Sequence, residues 1–141
     1  MGATPSRTDP IHILVVEDDP DTKEIISRVL LRRGYQVTIA PEMESGLSIV
    51  THGHFKCVVS DIFMKGMGGI EGIHKIRTLF PDIKILAISA GYSQMSSDAT
   101  LRAAEKIGAD MVLPKPFQIN DLADAVDALM GIEREGDKAD D

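Results

Sequence analysis

The strongest constraint on the fold is a pair of short β-branched runs that each end on acidic residues. The first run, Ile11 to Val16, precedes three consecutive acids, and the second, Lys56 to Ser60, precedes one. These acids are Glu17, Asp18, Asp19 and Asp61. A third run, Met111 to Leu113, precedes Lys115 between two prolines. If the runs are neighbouring parallel strands, their charges meet at one sheet edge and repel unless a cation lies among them.

Strand-like runs alternate with helix-like segments along the chain, without internal repeats. The predicted strands are Ile11 to Val16, Gln36 to Ala40, Cys57 to Ser60, Lys84 to Ser89 and Met111 to Leu113. The predicted helices are Pro20 to Arg33, Glu42 to Val50, Ile70 to Leu79, Ser97 to Ile107, and a fifth that Asn120 caps and that ends at Met130. Five such units favour an α/β, doubly wound, five-stranded parallel sheet over a barrel, which needs eight. The expected strand order is 2-1-3-4-5, with ligands bound beyond the carboxyl ends of strands one and three.

Composition limits the domain count and the classes of partner. The 141 residues are enough for one domain, expected over 11–130, between a disordered tail (1–10) and an acidic tail (131–141). A net charge of −7 makes nucleic acid a poor partner. No apolar stretch is long enough to span a membrane and no secretory signal is visible, so we expect a cytoplasmic protein. The lone Cys57 lies in an apolar run and is interpreted as a buried hydrophobic residue.

The residue types at the predicted edge favour a magnesium site. Carboxylate oxygens without nearby histidine or cysteine suit Mg²⁺, which combines one or two carboxylates with water and phosphate oxygens. Asp18 and Asp61 are the first candidates, with Glu17 beside them. Asp19 precedes Pro20 and is better explained as a helix N-cap. Lys115, and the hydroxyl of Ser89 at the end of the fourth strand, are candidates for contact with phosphate.

Four segments, in this order, resemble the receiver domains of response regulators in bacterial two-component signalling. The similarity covers about Ile11 to Met130 and implies the flavodoxin-like fold of that family. The segments are Ile13 to Pro20 (ILVVEDDP), Val58 to Met64 (VVSDIFM), Leu86 to Gly91 (LAISAG) and Leu113 to Phe117 (LPKPF).

The resemblance implies a phosphoacceptor switch rather than an enzyme. Asp61 would accept a phosphoryl group from a sensor histidine kinase or a histidine phosphotransfer protein. Glu17 and Asp18 would organise Mg²⁺, which Asp61 also binds. Lys115 would contact the phosphate, and the Ser89 hydroxyl would follow the phosphoryl group on activation. A further metal ligand would be the main-chain carbonyl of Phe63.

The sequence departs from the usual pattern of the family at several positions. Lys65 stands where proline is common, and Gly68 where an acid is common. Val112 stands where many members carry an aromatic residue that rotates on activation, so that rotation is not expected here. Tyr92, in a long loop after Ser89, is a hypothetical substitute for this aromatic residue.

Alternative functions follow from the same residues. The leading hypothesis is a single-domain response regulator that acts on an unknown downstream protein. One alternative is a receiver-like adaptor that is never phosphorylated. Another is a magnesium-dependent aspartyl phosphatase, although Phe63 occupies the position of its usual second acid. A flavodoxin-like electron carrier is disfavoured because Glu17 and Asp18 would repel the flavin phosphate.

Overall fold

The fold is built on one parallel sheet. The computed structural model describes residues 10–62, 68–89, 102 and 104–134. Its five strands are arranged in the order β2-β1-β3-β4-β5, which confirms the predicted topology. The strands are β1 (His12–Val16), β2 (Gln36–Ala40), β3 (Cys57–Asp61), β4 (Lys84–Ser89) and β5 (Met111–Pro114).

Helices cover both faces of this sheet. They are α1 (Pro20–Arg32), α2 (Met43–His52), α3 (Gly69–Leu79), α4, of which residues 102 and 104–107 are described, and α5 (Ile119–Leu129). Helices α1 and α5 pack on the face that carries Ile13 and Val15. Helices α2, α3 and α4 pack on the opposite face, which carries Leu14 and Val16. Because successive residues of a strand point to opposite faces, each strand contributes side chains to two apolar cores. The predicted doubly wound α/β fold is confirmed.

Burial explains why the strands lack an alternating pattern in sequence. All five residues of β3 are buried, including the polar Ser60 and Asp61 at its carboxyl end. Cys57 is fully buried, and burial raises the pKa of its thiol to about 12, in agreement with its interpretation as a hydrophobic core residue. None of the helices in the described ranges could reach across a lipid bilayer through an apolar stretch.

The start of α5 differs from the prediction. Asn120, the predicted cap, lies inside the helix, and Gln118 is the N-cap. The backbone N–H of Gln118 donates to the Asp121 carboxylate at 3.3 Å. Prediction of an N-cap from sequence relies on a short polar side chain at the cap position itself. Here the side chain of Asp121, three residues after the cap, accepts from the cap backbone instead.

Other element boundaries shift by one or two residues. Helix α1 ends at Arg32, and Gly34 follows with a φ of +97°, the left-handed conformation that a glycine commonly adopts after the end of a helix. Helix α2 begins one residue after Glu42 and continues to His52. Strands β3 and β5 each extend by one residue, to Asp61 and Pro114. Of the predicted helix Ser97 to Ile107, the described residues are helical; its first residues, like Lys65 and Tyr92, lie outside the described ranges.

A close backbone approach joins α3 to the end of β3. A Cβ added to Gly69 would lie 2.4 Å from the Cα of Ile62, the residue after Asp61, whereas one added to Gly68 would meet nothing within 4 Å. We therefore expect Gly69→Ala to lower the free energy of unfolding by about 1–3 kcal/mol through overpacking. Urea unfolding of this variant and of the control Gly68→Ala measures the difference. Equal stabilities of the two variants would contradict the close packing described here.

Candidate functional site

The carboxyl ends of four strands meet at one edge of the sheet. Val16 pairs with Ser60, Asp61 pairs with Ile88, and Ser89 pairs with Pro114. The residues at or just beyond these ends are Glu17, Asp61, Ser89 and Lys115. The parallel register therefore brings together the ends that the sequence places far apart along the chain.

Asp61 and Lys115 form an ion pair at this edge. The Lys115 Nζ donates to the Asp61 Oδ2 at 2.8 Å. The Asp61 side chain is 7% exposed and that of Lys115 is 31% exposed. Partial burial opposes the charge on Lys115, but its hydrogen bond to Asp61 and the nearby acids outweigh that cost, so the pKa of Lys115 lies above its ordinary value. The pair thus places a carboxylate and an ammonium at the mouth of the sheet.

Glu17 is buried beside this pair with one oxygen unsatisfied. Its Oε2 accepts a hydrogen bond from the backbone N–H of Asp19 at 3.0 Å. Its Oε1 is buried and has no hydrogen-bond partner within the described part of the chain. Burial is the main reason that the pKa of Glu17 is raised, and the charge of Asp61 raises it further, while the bond from Asp19 acts in the opposite direction.

The three consecutive acids have three different environments. Glu17 is buried, whereas Asp18 and Asp19 are exposed. The Asp19 carboxylate caps α1, as predicted, by accepting from the backbone N–H of Thr22 at 2.8 Å and from the Thr22 hydroxyl at 2.7 Å. These bonds lower the pKa of Asp19. The sequence spacing, an acid three residues before a threonine, is the signal that could have identified Thr22 as part of this cap.

Ser89 and Val112, which the sequence also singles out, lie within the described ranges, whereas Phe63 does not. Ser89 is fully buried at the end of β4, and its carbonyl accepts from the backbone N–H of Lys115 at 3.0 Å. The Lys115–Pro116 peptide bond is cis. Phe63, the predicted main-chain metal ligand, lies outside the described residues. Val112 is a buried member of the apolar core that also contains Ile107, so an aliphatic side chain fills the position discussed above.

The unsatisfied oxygen of Glu17 fits a cation at this edge. Among the described residues, no three acidic, histidine or cysteine side chains are grouped as a metal cage. Mg²⁺ does not need such a cage, because it retains water and takes one or two carboxylates. A buried carboxylate oxygen without a donor is costly unless a cation or a proton compensates it. Glu17 and Asp61, together with the exposed Asp18, are therefore a chemically suitable donor set for Mg²⁺.

A second polar cluster, at the contact between α1 and α5, was missed by sequence reasoning. Asp127 is 3% exposed and accepts hydrogen bonds from the Tyr35 hydroxyl, from Arg33 at 2.6 Å and from Arg134 at 2.6 Å. The Arg134 guanidinium also lies 5.9 Å from the ring centroid of Tyr35. Arg134 belongs to the segment predicted as an acidic tail, so part of that segment contacts the folded domain. An acid four residues after the buried Ala123 on α5 is the signal that could have revealed the cluster.

Sequence comparison identifies relatives over most of the chain. A family model described as the response regulator receiver domain matches residues 13–127. The response regulator MprA of Mycobacterium sp. strain KMS is 34% identical over 121 residues, which are 86% of this chain and 51% of that protein. The response regulator MprA of Mycobacterium leprae is 32% identical over 129 residues, which are 92% of this chain and 55% of that protein. The chain thus spans about half the length of the curated relatives it matches.

Solved structures are similar over nearly their whole length. The response regulator protein TrrA from Thermotoga maritima, in complex with Mg²⁺–BeF, is 32% identical, with a TM-score of 0.71 over 84% of this chain and 98% of that one. A CheY-like response regulator receiver domain protein from Methanospirillum hungatei is 26% identical, with a TM-score of 0.75 over 87% of this chain and 96% of that one.

Proposed function

Because the chain belongs to the response regulator receiver domain family, we propose that Asp61 accepts a phosphoryl group in a Mg²⁺-dependent reaction and that this modification switches a protein interaction. The observation that carries the proposal is the Asp61–Lys115 ion pair at 2.8 Å, next to the buried Glu17. Phosphoryl transfer requires mainly positioning and electrostatic stabilisation from the protein, and these groups can supply both.

Each residue at this edge has a separate role in the phosphoryl transfer. A carboxylate oxygen of Asp61 attacks the phosphorus in line, forming the new P–O bond while the bond to the donor breaks. With a phosphohistidine donor the imidazole nitrogen keeps the electron pair and takes up a proton. Lys115, already within hydrogen-bonding distance of Asp61, offsets negative charge on the phosphoryl oxygens. The Ser89 hydroxyl then serves as a hydrogen-bond donor to the phosphorylated aspartate.

The metal site is proposed from the same edge. Glu17, Asp18 and Asp61 would hold Mg²⁺ with the main-chain carbonyl of Phe63. Bound Mg²⁺ supplies positive charge that offsets the charge of the transferred group. The unsatisfied Oε1 of Glu17 supports this assignment, as does the similarity to the Thermotoga maritima protein solved with Mg²⁺–BeF.

The partners follow from the proposed chemistry. The donor is a sensor histidine kinase or a histidine phosphotransfer protein, since both carry phosphohistidine. The recipient of the signal is a protein that distinguishes the phosphorylated chain from the free chain, because the added charge can reorganise the contacts of Ser89 and Lys115.

The proposal is tested with a small phosphodonor. On incubation with acetyl phosphate and Mg²⁺, we expect intact mass spectrometry to show one added phosphoryl group. Removal of Mg²⁺ with a chelator is expected to abolish this modification, because the clustered charges then lack their counterion. An unmodified chain, under conditions that label a control receiver domain, would favour the adaptor hypothesis. Steady hydrolysis of an aryl phosphate would favour the phosphatase.

A further inference from the structure

We propose that Asp19 and Thr22 are positioning residues that hold the Glu17 carboxylate in place for Mg²⁺, and that Asp19 is not itself a metal ligand. This inference rests on the proposed function, because it concerns the same metal site. It assigns roles to two residues that the fold alone leaves as parts of a helix cap.

A continuous chain of hydrogen bonds links the helix cap to the site. Both donors of Thr22, the backbone N–H and the hydroxyl, bind the Oδ2 of Asp19 at 2.8 and 2.7 Å. The backbone N–H of Asp19 in turn donates to the Oε2 of Glu17 at 3.0 Å. The carbonyl of Asp19 accepts the first helical bond, from Lys23, at 3.0 Å. Asp19 is therefore fixed through its side chain, its N–H and its carbonyl.

This chain of bonds settles which oxygen of Glu17 is available. Oε2 is engaged by the Asp19 N–H, and Oε1 is buried without a partner in the described ranges. Glu17 is 1% exposed and its own backbone N–H donates to the carbonyl of Ala40 at 3.0 Å, so the residue is held at both ends. A carboxylate fixed in this way presents one oxygen in a defined direction. It therefore binds a metal ion more favourably than a mobile carboxylate would.

The same bonds explain why Asp19 acts indirectly. Its Oδ2 already accepts two hydrogen bonds from Thr22, and its position at the N-terminus of α1 provides a favourable environment for its charge without a metal. Asp18 lies between the two tied residues, so its backbone is fixed from both sides. Glu17 and Asp18 are thereby left to bind the metal ion, while Asp19 orients them.

The test compares two neutral replacements of Asp19 by isothermal titration with Mg²⁺ alone, on the full chain. Serine is a good N-cap and alanine is a poor one, although both lack the carboxylate charge. We expect Asp19→Ala to bind Mg²⁺ roughly 10-fold more weakly than Asp19→Ser, the order of effect seen when outer-shell partners of a metal ligand are removed. At physiological salt Asp19→Ser should remain within about threefold of the wild type, because only a screened charge is lost.

Two further variants separate positioning from general stability. Thr22→Val removes the hydroxyl donor but keeps the backbone N–H, and is expected to weaken Mg²⁺ binding less than Asp19→Ala. Arg28→Gly destabilises α1 at an exposed position, since glycine lowers helix propensity, and within the described residues the ion pair of Arg28 is with Glu24, on the same helix. It should bind Mg²⁺ like the wild type. Amide hydrogen exchange should also speed up at residue 19 in Asp19→Ala but not in Arg28→Gly.

The possible outcomes distinguish this inference from the proposed function. If the wild type binds Mg²⁺ and Asp19→Ala binds it equally well, the positioning role is wrong and the proposed function stands. If Asp19→Ser is as weak as Asp19→Ala, Asp19 acts through its charge or as a ligand, and the inference is again wrong. If the wild type itself binds no Mg²⁺, both the metal site and the positioning role are wrong.

Discussion

Asp61→Asn is expected to lower phosphorylation of the chain by acetyl phosphate by at least about 100-fold, since removal of a nucleophile is among the most damaging changes to such a site. Asparagine has nearly the same shape as aspartate, and its amide oxygen can still accept from Lys115. It lacks the anionic oxygen that forms the bond to phosphorus. Intact mass after incubation with acetyl phosphate and Mg²⁺ measures the loss directly.

The matched control for this variant is Asp82→Asn. Asp82 is an exposed aspartate in the turn before β4, at the opposite end of that strand from Ser89. The control makes the same chemical change far from the carboxyl edge, and we expect it to be modified like the wild type. If the Asp61 variant also retained full modification, the phosphoacceptor would have to be another residue.

Asp127→Ala is expected to lower the free energy of unfolding by about 2–4 kcal/mol, because it leaves the hydrogen-bond donors of three side chains without their common acceptor. Those donors are on Tyr35, Arg33 and Arg134. The two arginine side chains are 19% and 32% exposed, so water can solvate them in part and the cost stays below that of a fully buried charge. Urea or thermal unfolding measures the change.

Asp124→Ala is the control, because Asp124 also binds Arg33, at 2.9 Å, but its side chain is 58% exposed. Loss of this exposed ion pair should cost less than about 1 kcal/mol. If the two alanine variants were equally stable, the buried cluster would not contribute to stability.

The cluster also predicts a direction of pH dependence. Burial opposes ionisation of Asp127, but the hydrogen bonds from Arg134, Tyr35 and Arg33 outweigh it, so the pKa of Asp127 lies below its ordinary value. A depressed pKa stabilises the fold above the unfolded value of about 4, and that stabilisation is lost as the pH falls through the folded pKa. Wild type and Asp127→Ala should therefore converge in stability under acid conditions.

Much of the fold can be predicted from the sequence because few folds can bury its pattern of short apolar runs alternating with helix-like segments. Apolar runs such as Val58 and Val59 need burial on both faces, which a parallel sheet covered by helices provides. Strand order then follows from the number of units, and the order places Asp61 and Lys115 at one edge. Their shared position is thus predictable from the topology, whereas the ion pair between them became apparent only in the structure.

The details that sequence did not provide depend on side-chain direction and on long-range packing. Nothing local distinguishes the buried Glu17 from the exposed Asp18, since the difference arises from where β1 ends against its neighbours. The cap of α5 was misplaced because Asn120 is a better local candidate than Gln118. The Asp127 cluster joins residues nearly a hundred positions apart along the chain, and local patterns carry no information on such contacts.

The most direct test of the central claim is chemical identification of the phosphorylated residue. After incubation with acetyl phosphate and Mg²⁺, reduction with borohydride converts an aspartyl phosphate to homoserine, and peptide sequencing by mass spectrometry locates it. We predict homoserine at position 61, and none when Mg²⁺ is removed. Homoserine at another aspartate, or modification that is independent of Mg²⁺, would contradict the account.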